Sequence, residues 1–295
     1  MLPKRTGFVA IIGRPNVGKS TLLNQVLGEK VSIVTDKPQT TRNRILGIYN
    51  DDEAQVVFFD TPGIHQARAG LNRRMVQTAL ATLGEIDLVL FLVPPDLSFG
   101  TKDALITDHL KAIKTPKILV VNKIDTIKPD AIIPLLQAYS KEGLFSDVIP
   151  TSALTGKNVD RLLALTKAAM PEGTPFFPDD IATDQPVRFL ASEIIREKVI
   201  LKTREEVPYV IAVKIESFKE EMKKNLTRIC ATLYVERDSQ KGILIGKKGH
   251  LLKEIGKSAR LELEKLLATK IYLELWVKVR KNWRMDDLFL THMQY

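Results

Sequence analysis

Short apolar runs alternate with helical patterns through the first 170 residues. The runs are Phe8–Ile12, Gln55–Phe59, Leu88–Val93, Ile118–Val121 and Val148–Ile149. Each leads through a loop into a stretch of helical periodicity, and Ile45–Tyr49 is a further candidate strand. The alternation predicts an α/β domain with a mostly parallel open sheet, whose ligands sit at the C-terminal ends of the strands. The pattern stops at Met170–Asp180, where three prolines and a glycine mark a linker. Beyond it the periods predict a helix over about 188–202, strands over about 208–218 and 226–236, a short helix near 240–245, a glycine-containing turn, a long helix over about 250–268 and a strand over about 270–279. That order describes an α+β domain. The division is thus 1–172, a linker 173–187, a second domain 188–281 and a tail 282–295.

Composition adds three constraints. The 295 residues, 44% hydrophobic and 27% charged, suit two soluble domains with sizeable cores. A net charge of +9 favours an acidic partner, nucleic acid or an anionic membrane surface. Cys230 is the only cysteine, which excludes an intrachain disulfide; in its apolar alternating run it reads as a buried thiol in a reducing cytosol. No apolar run approaches the ~20 residues of a membrane span. Met1–Gly7 leads almost at once into a strand and leaves no room for a targeting peptide, so a cytoplasmic location is expected.

Gly13, Arg14, Pro15, Asn16, Val17, Gly18, Lys19 and Ser20 match G-x-x-x-x-G-K-[ST] in full, between a strand and a helix that continues with Thr21. Glycines let successive backbone N–H groups point at phosphates, and the helix N-terminus adds its dipole. Lys19 is expected at the β- and γ-phosphates, and the Ser20 hydroxyl on Mg²⁺. Asp60, Thr61, Pro62 and Gly63 form a D-x-x-G element: Asp60 would hold Mg²⁺ through water, and the Gly63 N–H would sense the γ-phosphate. Thr40 and Thr41 lie in a polar loop before Ile45. One hydroxyl, with Thr41 favoured, would complete the metal shell only when the γ-phosphate is present.

Asn122, Lys123, Ile124 and Asp125 follow a strand as N-K-x-D. The Asp125 carboxylate can accept from guanine N1–H and its exocyclic amine, whereas adenine would leave it unpaired. Thr151, Ser152 and Ala153 follow the next strand, where backbone N–H groups could meet the guanine oxygen. The ligand expected is therefore GTP or GDP.

Ile64 departs from the glutamine that orients water in Ras-like switches. Hydrolysis then uses other means or is slow until assisted. Gln39 and His65 are nearby without an assigned role. Asn16 offers one route: its side-chain oxygen could hold a K⁺ that neutralises developing phosphate charge. The bland reading of Asn16 is a loop brace.

In the second domain Gly246, Lys247, Lys248 and Gly249 form a G-x-x-G loop between two helices. Such a loop lets a backbone approach a sugar-phosphate chain, and the apolar groove beside it takes about four nucleotides. Arg237–Arg260 holds seven basic residues (Arg237, Lys241, Lys247, Lys248, Lys253, Lys257, Arg260) against two acidic ones, a surplus equal to that of all of 176–295. This concentration points to RNA rather than a solvated face. Trp276, in an alternating strand, reads as core; Trp283 fits stacking or packing. Lys278, Arg280, Lys281 and Arg284 form a second basic run.

GRPNVGKS, KPQTTR at Lys37–Arg42, DTPGI, NKID, TSA and GKKG, in this order, resemble bacterial Era GTPases over nearly the whole chain. The resemblance implies a P-loop GTPase domain followed by a type II KH domain. It also implies binding of single-stranded ribosomal RNA at the 3′ end of the small-subunit RNA, a role in small-subunit assembly, a monomer, and peripheral association with the cytoplasmic face of the membrane. Val93–Asp96 and the tail from Arg284 differ from that family's pattern. Two other readings stay open: a tRNA-modification GTPase, and a signalling GTPase with a protein-interaction module. The lack of a further domain and of a C-terminal cysteine disfavours the first, and Lys247 with Lys248 disfavours the second.

Overall fold

The computed structural model describes every residue except 1–3, 68, 97–102, 141, 142, 222 and 224, so the Met1–Pro3 lead-in lies outside the described residues. Contacts divide the chain into two units, residues 1–68 with 72–184, and residues 69–71 with 185–295.

In the first unit, β1 (Lys4–Gly13) precedes α1 (Lys19–Leu27), β2 (Ile45–Asn50) and β3 (Ala54–Asp60). Then come α2 (Gly70–Ala81), β4 (Leu88–Val93), α3 (Ala104–Lys111), β5 (Lys117–Val121), α4 (Ile132–Ser140), β6 (Asp147–Pro150), α5 (Val159–Ala169) and β7 (Glu172–Gly173). The sheet runs β2-β3-β1-β4-β5-β6. It is parallel except where β2 pairs with β3 and where β7 pairs with β1. Its central strands are buried on both faces, which is why they read as unbroken apolar runs.

The proline-rich segment does not hang free of this unit. Gln55, fully buried in β3, donates from Nε2 to the Phe177 carbonyl (2.8 Å) and accepts at Oε1 from the N–H groups of Phe176 (2.7 Å) and Phe177 (3.0 Å). The Ile48 N–H donates to the Ala182 carbonyl at 2.8 Å, and the Thr183 hydroxyl to the Leu46 carbonyl at 2.5 Å. Phe177 and Ile181 pack on Leu46, Ile48, Val57 and Phe59.

The second unit contains α6 (Val187–Lys202), α7 (Val207–Val210), β8 (Ala212–Glu221), β9 (Leu226–Val235), α8 (Asp238–Ile245), α9 (His250–Leu267), β10 (Lys270–Val279) and α10 (Asp287–His292). The sheet order is β10-β9-β8, with β9 parallel to β10 and antiparallel to β8. Helices α6 and α9 bury Ala191, Ile195, Val199, Ile255, Ala259 and Leu263 against Ile229, Ala231 and Leu233 of β9.

Three expectations are corrected here. The strand expected from about 208 begins at Ala212, because Pro208 opens the one-turn helix α7, where its missing N–H costs nothing. Trp276 is not core: it is 59% exposed, on the face of β10 that carries Tyr272, Glu274 and Lys278. Cys230 is half-buried rather than buried, since on β9 it shares the outward parity of Arg228 and Tyr234, with its thiol 3.6 Å from Glu274. Desolvation and that carboxylate raise the thiol's pKa. The tail is folded: Trp283 is fully buried, its indole N–H donates to the Val210 carbonyl at 2.9 Å, and Phe289 meets it edge-on at 5.8 Å. Packing, not stacking, is therefore the role of Trp283. The second basic run is partly neutralised, by Arg280–Asp286 (2.6 Å) and Arg284–Glu236 (2.7 Å).

Candidate nucleotide site and nucleic-acid interface

The phosphate loop wraps the end of β1 as its glycines require. A Cβ on Gly13 would lie 2.4 Å from the Leu92 carbonyl oxygen, and one on Gly18 (φ 99°) 2.4 Å from the Asn122 amide nitrogen. Lys19 is buried, with its ammonium 3.0 Å from the Arg14 carbonyl and 3.3 Å from that of Gly13. Burial pulls its pKa down to about 8 while Asp60 pushes it back up, so an anion beside it is favoured. Gly63 comes so close to the loop that a Cβ would lie 2.6 Å from the Pro15 nitrogen.

Three hydroxyls converge on one carboxylate oxygen. Ser20 donates to Asp60 Oδ2 at 2.5 Å and Ser32 does so at 2.9 Å. Thr41 lies 3.5 Å from the same oxygen and 2.8 Å from Ser20 Oγ. Asp60 is fully buried, which raises its pKa against Lys19 and the hydroxyls, and its Oδ1 is buried without a hydrogen-bond partner. An orphaned carboxylate oxygen beside hydroxyls is an all-oxygen site that suits a hard divalent cation completed by substrate phosphates and water. Among the described residues no group of three His, Cys, Asp or Glu side chains could hold a metal. Thr40 faces elsewhere: its hydroxyl donates to the Lys37 carbonyl at 2.7 Å and lies 2.5 Å from the Thr35 hydroxyl, as a turn residue's would.

The base-side residues are tied to this loop. Buried Asn122 donates to the Val17 carbonyl at 2.8 Å and accepts the Ala153 N–H at 2.9 Å. Lys123 reaches the Asn16 carbonyl at 2.6 Å, and the Ser152 hydroxyl donates to Asp125 at 2.5 Å. Asp125 itself is exposed, and no pairing cation competes for it in the described geometry.

In the second unit, Gly246 (φ 71°) and Gly249 (φ 77°) turn the chain between α8 and α9. A Cβ on Gly246 would lie 2.8 Å from that of Leu251. Lys247 and Lys248 are exposed, as are Arg237, Lys253, Lys257 and Arg260, whereas Lys241 is half-buried. Lys253, Lys257 and Arg260 recur at helical spacing along α9, whose opposite side buries Ile255, Ala259 and Leu263. The loop and this stripe form one basic surface about three turns long, with exposed Ile243 as an apolar neighbour on α8.

Residues 8–123 match the family model described as 50S ribosome-binding GTPase, and residues 206–284 match that of the KH domain. GTPase Era of Geobacter metallireducens is 55% identical over 293 residues, 99% of this chain and 98% of the relative. GTPase Era of Syntrophus aciditrophicus is 52% identical over 99% of this chain and 95% of its own. The chain belongs to the Era family of GTPases. It is a GTP-hydrolysing enzyme. A crystal structure of Era in complex with MgGDPNP and nucleotides 1506–1542 of 16S ribosomal RNA superposes with a TM-score of 0.95 at 45% identity, over 98% of each chain. That of a singly substituted Aquifex aeolicus Era bound to GDP·AlF4⁻ gives 0.94 at 44% identity, over 97% of this chain and 98% of that one.

In this Era family member several motif side chains are engaged within the protein. The Arg14 guanidinium is taken by Asp103 (2.9 Å) and Asp96 (3.8 Å), and the Thr61 hydroxyl by the Ile11 carbonyl (2.8 Å). Val17 is buried, and Ile64 is sunk in the cluster with Ala10, Ile12 and Phe91. Ile64 thus lacks a polar group and also faces away from the cleft, while its N–H bonds the Gly13 carbonyl at 3.1 Å. The N–H of Ala153, expected at the guanine oxygen, donates to Asn122, and that of Ser152 to the Lys157 carbonyl at 3.0 Å. Ser32 is not legible as a site residue from sequence, because a serine in a polar loop carries no motif.

Proposed function

We propose that the chain is a GTP-controlled binder of single-stranded ribosomal RNA acting in small-subunit assembly as a monomer. The observation that carries this is the exposed Lys247–Lys248 pair at the head of the basic stripe, on the same chain as a guanine-reading carboxylate. The related Era structure holds a 16S fragment and a magnesium nucleotide together, which supports the same reading. Ser20, Thr41 and Asp60 would hold Mg²⁺, which when bound neutralises charge on the β- and γ-phosphate oxygens. Lys19 and the loop N–H groups of Gly13–Ser20 bind the phosphates, and the Gly63 N–H meets the γ-phosphate. Asp125 reads guanine, with Asn122, Lys123, Ser152 and Ala153 holding it in place. Any membrane contact we take to be peripheral, as the family resemblance implies; among the described residues no helix is long and apolar enough to cross a membrane. Titration of the full chain with a single-stranded RNA ending in the 3′ small-subunit sequence tests the switch. Binding at least tenfold tighter with a non-hydrolysable GTP analogue than with GDP is expected (about 1.4 kcal/mol of coupling), and equal affinity contradicts it.

For hydrolysis we propose that Asn16 holds K⁺. Its side-chain nitrogen donates to the Asp36 carbonyl at 2.7 Å, which leaves the side-chain oxygen as the group to offer a cation beside the phosphates. The turnover rate is expected to rise in K⁺ over Na⁺, and Asn16→Ala is expected to remove the difference. The same rate in both buffers for the unaltered chain overturns the assignment.

A further inference from the structure

We propose that Ser32, locked by Asn24, is a positioning residue that aims the Asp60 carboxylate at the metal. The inference rests on the reading of Asp60 as the metal's carboxylate and extends it to two residues outside the nucleotide motifs. Ser32 is buried and gives its hydroxyl proton to Asp60 Oδ2 at 2.9 Å. Its backbone is clamped by one amide side chain on α1: Asn24 Oδ1 accepts the N–H groups of Val31 and Ser32, both at 3.0 Å, and Asn24 Nδ2 donates to the Ser32 carbonyl at 2.8 Å. Of the three hydroxyls near Oδ2, those of Ser20 and Thr41 lie 2.8 Å from each other and would serve as ligands when the cation is bound. Ser32 would then be the hydroxyl left bonded to Asp60, and so would hold the plane of the carboxylate. That plane sets where the unpartnered Oδ1 points. Ser32 also stands at the start of the loop that ends at Thr41, so both ends of this loop meet at a single carboxylate oxygen.

Outer-shell hydrogen bonds of this kind are worth about 10- to 100-fold in metal affinity. The experiment follows release of a fluorescent, non-hydrolysable GTP analogue from the full chain as free Mg²⁺ is varied. Ser32→Ala is expected to raise the half-saturating Mg²⁺ at least about tenfold, with release in EDTA unchanged. Ser32→Cys, close in size but a weak donor, is expected to shift it the same way and covers the case of an alanine variant that does not fold. Asn24→Ala should shift it too, and the double variant no further than Ser32→Ala. A half-saturation within about threefold of the parent, or release in EDTA accelerated as much as release in Mg²⁺, overturns the proposal. Ser20→Ala serves as the control. Should it leave the Mg²⁺ dependence unchanged, the reading of the metal site itself falls, and the proposal with it.

Discussion

Asp125→Asn is expected to lower GTP affinity about a thousandfold and to create a preference for xanthosine nucleotides. Guanine offers two donors toward Asp125, N1–H and the 2-amino group. Two charge-assisted bonds at roughly 1.5–3 kcal/mol each, converted at 1.4 kcal/mol per decade, span about two to four decades. An asparagine keeps one acceptor but turns a donor toward the amine. Xanthine carries an oxygen at that position, so the amide donor finds a partner there. The Ser152 hydroxyl, 2.5 Å from Asp125, can accept or donate and so tolerates the amide. Competition of GTP and XTP against a fluorescent nucleotide checks this, and retained GTP affinity removes the base-recognition assignment.

Replacing Lys247 and Lys248 together by Asp is expected to weaken single-stranded RNA binding at least about a hundredfold and to leave GTP turnover without RNA unchanged. Both lysines are exposed between glycines whose positive φ angles shape the loop, so the exchange reverses charge without disturbing a core. Two lost phosphate contacts should also flatten the salt dependence, by about 1.4 in the log–log slope for a single strand. That second readout separates charge loss from a folding defect. An unchanged slope with unchanged affinity would remove the loop from the RNA surface.

The nucleotide half is legible in the sequence because each chemical group stands in a motif at a strand end, and the runs before those motifs are apolar enough to read as strands. The choice of Thr41 over Thr40 needs the fold. Both are polar loop residues, and only the structure shows one hydroxyl meeting Ser20 while the other closes a turn. Ile64 reads from sequence as a missing polar group; the structure adds that its side chain is buried in the core with Ala10, Ile12 and Phe91. The expectations for Trp276 and Cys230 fail for one shared reason. They weigh residue type above strand parity, although Glu274 and Lys278 flanking Trp276 at two-residue spacing already mark the outer face. Gln55 carries a further signal. A polar residue inside the run Ala54–Asp60, buried throughout, needs partners, and it finds them in the backbone of the proline-rich segment.

The central claim is that the nucleotide state of the first domain governs capture of single-stranded ribosomal RNA by the second. Crosslinking the full chain to total cellular RNA, once with a non-hydrolysable GTP analogue and once with GDP, followed by mapping of the crosslinked nucleotides, tests it most directly. Crosslinks at the 3′ end of small-subunit ribosomal RNA, carried by the Gly246–Gly249 loop and enriched with the GTP analogue, are the predicted result. Crosslinks spread without preference over all RNA, or equal in the two nucleotide states, would contradict it.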